Sequence, residues 1–179
     1  MQGSWASDVN NEDNDDLQMT KDGFTLFGHT VNADNSYKFY LVSDTKLDSE
    51  NIYSYYDSNF GIRACNAETD EPIAVTFYSR ESKEDMSPGW HCIGCCGNKH
   101  ETIVMISSLR EIIAYRFENS QFTAISWRCD ELESDLKTKL LVRGLHLNKQ
   151  DGDNKYSLKV TRKVSLSECI IKTYSIQLK

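Results

Sequence analysis

Apolar and polar positions alternate along most of this chain in short runs broken by polar turns. The runs FTLFGHT (24–30), YKFYLVS (37–43), NIYSYY (51–56), FGIRAC (60–65) and IAVTFYS (73–79) each have the length and residue types of a β-strand. GWHCIGC (89–95), ETIVMIS (101–107), EIIAYRF (111–117) and QFTAISW (121–127) follow, then KLLVRGLHL (139–147), YSLKVTR (156–162) and CIIKTYSIQL (169–178). Turn signals such as NADNS, CNAETDEP, CGNKH and NKQDGDNK separate them. Two-residue periodicity is clearest where Tyr156, Leu158 and Val160 oppose Ser157, Lys159 and Thr161, and where Phe24, Leu26 and Gly28 oppose Thr25 and Phe27. One segment breaks the rhythm. DELESDLKTKLL (130–141) spaces Leu132, Leu136 and Leu140 four apart, with acids early and lysines late, which predicts a short helix or helical turn. No strand–helix–strand repeat occurs, so the pattern predicts an all-β fold of about twelve short strands rather than a parallel sheet.

Composition narrows the picture without changing it. At 179 residues, 39% apolar and 26% charged, the chain suits one domain with a core of its own. No apolar run approaches the roughly 18 residues of a membrane helix, so no membrane insertion is expected. The start, MQGSWASDVNNEDNDD, lacks the basic and apolar regions of a secretory signal. The net charge of −7 is concentrated there: five acids precede the first Lys or Arg, and residues 17–179 then carry 20 basic and 22 acidic side chains. Residues 1–16 therefore read as an acidic flexible segment and 17–179 as the folded domain. Phosphate binding needs a concentrated basic face, so nucleic acid is not expected as the main partner, although the balanced body leaves room for a small basic patch.

Candidate chemistry centres on WHCIGCCGNKH (90–100), with three cysteines and two histidines in eleven residues. A structural zinc site needs four ligands, usually from two knuckles. Here Cys92 and Cys95 form one knuckle, while Cys65, Cys129 and Cys169 stand apart. Strand alternation also sends His91, Ile93 and Cys95 to one face and Cys92, Gly94 and Cys96 to the other. No metal and no cofactor are therefore expected, and the cysteines are expected reduced, acting as small apolar side chains. Nothing in the spacing brings His29, His91, His100 or His146 to a cysteine as a base. QDGDNK (150–155) lacks the ligand set of a calcium loop. With no phosphate loop, dinucleotide fingerprint, nucleophile elbow or HExxH, no enzymatic activity and no catalytic residue are expected.

EPIAVTFYSR (71–80), the cysteine strand WHCIGCC, its turn CGNK and the following ETIVM together resemble the central strands of the interleukin-1 superfamily, most closely its interleukin-18-like members. FGIRACNAETDEP, REIIAYRF (110–117) and the closing CIIKTYSIQLK extend the likeness over most of residues 20–179. The helical segment and the cysteine content depart from that family's pattern. The resemblance implies a β-trefoil, a leaderless cytokine and a monomer that binds immunoglobulin-like cytokine receptors, with an accessory receptor and a soluble binding protein as further partners. It implies a cytoplasmic precursor, later extracellular by unconventional secretion. Matched by strand order, it assigns receptor contacts to Asp34, Asp48, Glu50 and Lys99. Trp5 stands three residues before Asp8, which resembles an inflammatory-caspase site, and Asp16 offers a second cleavage position. Two alternatives stand beside it. RCDELESDLKT (128–138) faintly resembles a segment of secreted β-sandwich immune-evasion decoys that capture chemokines or cytokines. Residues 91–100 could instead centre a small zinc-binding intracellular module.

Overall fold

The computed structural model describes residues 3–4, 18–19, 23–43, 60–78, 92–107, 111–138 and 140–179. Its strands are β1 (Gly3–Ser4), β2 (Gln18–Met19), β3 (Thr25–Val31), β4 (Tyr37–Ser43), β5 (Phe60–Asn66), β6 (Pro72–Tyr78) and β7 (Cys92–Gly97). β8 (Thr102–Ser107), β9 (Ile112–Glu118), β10 (Gln121–Ile125), β11 (Leu141–Lys149), β12 (Lys155–Lys163) and β13 (Cys169–Gln177) follow, with one helix, α1 (Asp130–Leu136). Eleven of the expected strands lie on observed ones within three residues at each end, and the expected strand 51–56 lies outside the described residues.

The strands form three antiparallel sheets, ordered β2-β3-β4-β5-β6, β1-β7-β8-β9-β10 and β11-β12-β13. Apart from β1, every strand pairs with its neighbours in sequence, so each sheet is an antiparallel meander. The all-β expectation holds. Among the described residues the three sheets stay open, and no strand pairing closes them into a barrel.

Alternation in the middle sheet explains how the layers stack. Ile93, Cys95, Val104, Ile106, Tyr115 and Phe117 join a core with Phe27, Phe39, Leu41, Phe60, Ile62 and Ala64 of the first sheet. The alternate residues of the same strands, Cys92, Cys96, Ile103, Met105, Ile112 and Ala114, join a second core, shared with Leu132 and Leu136 of α1 and with the apolar face of the third sheet. β7 and β8 are buried at every position. A sheet covered on both faces reads as a continuous apolar run, and TIVMIS is one. The first core is strongly aromatic: Phe39 and Phe117 meet edge to face at 5.4 Å, and Tyr37 meets Phe117 likewise at 5.0 Å. In the second, Gly94 permits a close approach, since a Cβ there would lie 2.6 Å from the Leu145 carbonyl oxygen.

α1 is shorter than the leucine spacing predicts. Leu132 and Leu136 face the core, and Asp130, Glu131 and Glu133 complement the helix dipole in the first turn. Leu140 falls beyond the helix because the Asp135 carbonyl, which a further turn would need, is taken by the Thr138 hydroxyl at 2.7 Å and the Arg162 guanidinium at 3.0 Å. The helix is then fastened to β13. Lys172 Nζ lies 2.8 Å from both Glu131 Oε1 and Asp135 Oδ2, and the Tyr174 hydroxyl donates to Asp135 Oδ2 at 2.6 Å. These donors, Lys172 first and Tyr174 second, hold the Asp135 carboxyl below its usual range.

Candidate interaction corner

Two hairpin turns meet at one end of the first two sheets. Between β3 and β4 the turn is organised by Asn32, whose side chain is buried. Its Oδ1 accepts from the Tyr37 backbone N–H at 3.0 Å, and its Nδ2 donates to Ser36 Oγ at 2.7 Å and to Thr102 Oγ1 at 3.2 Å. Asn35 takes the left-handed conformation (φ 56°) that an asparagine in a turn tolerates. Between β7 and β8, Asn98 performs the same service: its Oδ1 accepts from the backbone N–H groups of His100 at 2.9 Å and Glu101 at 3.3 Å. Gly97, with φ 147°, has no room for a side chain, because a Cβ would lie 2.2 Å from the Glu101 carbonyl oxygen.

Asp34 joins the two turns. One carboxylate oxygen accepts from the Ser36 hydroxyl at 2.6 Å and the Ser36 N–H at 3.2 Å, and the other accepts from the Lys99 N–H at 2.8 Å. The Ala33 N–H donates to the Gly97 carbonyl at 3.3 Å, a second tie. Burial would push the Asp34 carboxyl up, but the donors from Ser36 and Lys99 together outweigh it and hold the group below its usual range. The result is a rigid, charged corner carried on two sheets, with Glu101 additionally paired to Arg116 at 3.1 Å.

Beside it lies a cavity of about 250 Å³, lined by Cys96, Asn98, His100, Glu101, Lys149 and Tyr156 among others. Lys149 Nζ sits 5.1 Å from the Tyr156 ring centroid. Burial pushes the Cys96 thiol up, and burial with Glu101 and Cys96 nearby raises the Tyr156 hydroxyl to about 12. Both groups are therefore protonated at neutral pH, and the cavity offers shape and hydrogen bonds rather than a thiolate nucleophile.

Of the sequence-assigned contact residues, Asp34 and Lys99 are brought together. Asp48 and Glu50, and the cleavage positions Asp8 and Asp16, lie outside the described residues. Cys92 and Cys95 belong to different cores, as alternation predicts, which removes the knuckle that the zinc alternative required. His91 lies outside the described residues. None of the six cysteines is joined in a disulfide, and among the described residues no group of three or more His, Cys, Asp or Glu side chains is placed to hold a metal ion. The two asparagines that organise the corner were missed; NADNS and CGNKH marked turns, but nothing in their spacing said that the turns touch. The chain matches no family model, no curated protein and no solved structure.

Proposed function

We propose that this protein is a protein-recognition module of immune signalling: an interleukin-1-superfamily-like cytokine that binds immunoglobulin-like receptors through the Asp34–Lys99 corner. One observation carries the reading. Asp34 and Lys99, assigned to receptor contact by the resemblance alone, are separated by 65 residues yet joined by a 2.8 Å hydrogen bond. A rigid corner recognises a partner without first losing loop entropy, and its charges steer the encounter. In this reading Lys99 meets the accessory receptor, and Asp48 and Glu50 extend the contact. Cleavage after Asp8 or Asp16 by an inflammatory caspase releases the mature monomer, which leaves the cytoplasm by unconventional secretion. A soluble binding protein competes for the same corner. The β-trefoil belongs to this proposal and needs further strands joining the three sheets, one of them at 51–56.

A second reading has an observation of its own. A middle sheet covered on both faces suits a layered β-sandwich, and hence an immune-evasion decoy that captures chemokines or cytokines. Surface plasmon resonance against immunoglobulin-like receptor ectodomains and, in parallel, basic chemokines separates the two. Binding confined to receptors supports the cytokine, binding confined to chemokines supports the decoy, and binding to neither removes both.

A further inference from the structure

Charge is divided unevenly over the fold. Residues 140–179 carry eight Lys and Arg against three Asp and Glu, a balance of +5 in a chain whose total is −7. The three acids, Asp151, Asp153 and Glu168, all lie in turns, so β11, β12 and β13 contain no acidic residue.

Alternation arranges the cations. Tyr156, Leu158 and Val160 face the core, which turns Lys155, Lys159 and Lys163 to the opposite face of the third sheet. Four residues of extended chain separate each from the next, roughly 13 Å. Their cross-strand neighbours on β13 are Gln177, Thr173 and Cys169, and on β11 Lys159 stands opposite His146. No carboxylate stands among the paired positions of this ladder.

Beyond Lys163 the chain reverses through a turn in which the N–H groups of Val164 and Ser165 donate to the Glu168 carbonyl at 2.9 and 3.2 Å. That turn leaves Leu166 95% exposed and Val164 45% exposed, and Ile171, paired with Thr161 on the lysine-bearing face, is 63% exposed. None of the three belongs to a core cluster. An apolar tip next to a lysine ladder is the combination that an anionic bilayer rewards: ammonium groups meet headgroup phosphates while the tip reaches the acyl boundary. A soluble polyanion would engage the lysines but leave Leu166 and Ile171 in water. Residues 1–139 carry the other 12 basic and 24 acidic side chains, a balance that an anionic surface repels, so attraction falls to the third sheet.

We propose that the outer face of the third sheet, with the β12–β13 tip, is a docking surface for anionic lipid membranes. The contact is peripheral and reversible. No helix among the described residues is long and apolar enough to cross a membrane, and the tip supplies only a shallow anchor.

The test is co-sedimentation of the full chain with vesicles of phosphatidylcholine alone and of phosphatidylcholine mixed with phosphatidylserine. Binding to the mixed vesicles should be at least about tenfold tighter and should weaken as salt is raised. Lys155→Glu combined with Lys159→Glu should abolish the preference, and Leu166→Ser should weaken binding about fivefold with the circular dichroism spectrum unchanged. Leu166→Trp supplies a second readout: its emission should shift to the blue on mixed vesicles. Equal partition into both vesicle types, or no binding to either, overturns the proposal. So does retention on heparin that is insensitive to Leu166→Ser, with no emission shift on vesicles, since that outcome marks a polyanion site.

Discussion

Asp34 accepts a 2.8 Å hydrogen bond from the backbone N–H of Lys99, across 65 residues of chain and between two sheets. Asp34→Ala removes this bond and both Ser36 bonds at once, leaving the Ala33–Gly97 and Asn32–Thr102 bonds as the ties between the β3–β4 and β7–β8 turns. Because the carboxylate is exposed, the expected loss of stability is modest, about 1 kcal/mol. Urea denaturation checks it. Faster hydrogen exchange at the Lys99 and Ser36 amides should accompany the loss, with the sheet interiors unchanged.

Gly94→Ala should be costlier. The new methyl group would meet the Leu145 carbonyl oxygen at 2.6 Å, a backbone atom that moves only if β11 moves. Overpacking of this kind costs about 1–3 kcal/mol, read as a lower denaturation midpoint with an unchanged slope.

The Asp135 anchor gives the fold an acid dependence with a definite sign. Lys172 and Tyr174 hold this carboxyl below its ordinary value, so the unfolded chain takes up the proton first. The stabilisation is complete above about pH 5 and drains away as pH falls through the lowered folded value. Tyr174→Phe removes one donor and brings the folded value nearer the unfolded one. The variant should be less stable at neutral pH and lose less on acidification, a shallower curve in denaturation midpoints measured from neutral to acid pH.

His146 acts nearer neutrality. Burial first, and the Lys159 charge second, lower its pKa, so the folded protein resists protonating it. Stability should be full above about pH 6.5 and decline as pH falls below that value. His146→Gln should flatten this part of the profile, measured by thermal melts between neutral and mildly acidic pH.

How much of this was legible in the sequence follows from the range of the forces involved. Two-residue alternation is local, and it placed Tyr156, Leu158 and Val160 inward and Lys159 outward. The same rule split Cys92 from Cys95 into two cores. The helix was visible in Leu132 and Leu136, but its end is set by the nearby Thr138 together with Arg162, a residue from β12 that no local pattern reveals. Likewise, Asn32 and Asn98 announce turns by residue type, whereas the bond from Lys99 to Asp34 depends on how two sheets stack. Sheet order itself was beyond reach, since strands of similar length and polarity have no unique pairing partners written into them.

The cysteines give a chemical check on that burial. Cys65, Cys92, Cys95 and Cys96 are buried and Cys129 half-buried, while Cys169 is exposed. A chromogenic disulfide reagent should therefore titrate Cys169 promptly, Cys129 slowly and the other four only after denaturation. A zinc chelator should leave the thermal midpoint where it was.

The most direct test of the central claim is the receptor affinity of Lys99→Glu beside the unaltered protein, measured by surface plasmon resonance on an immunoglobulin-like receptor ectodomain. The substitution keeps the backbone N–H that Asp34 holds and reverses only the presented charge. Binding should be at least about tenfold weaker, at the scale of an interface charge contact, with the melting temperature unchanged. Affinity equal to that of the unaltered protein would contradict it.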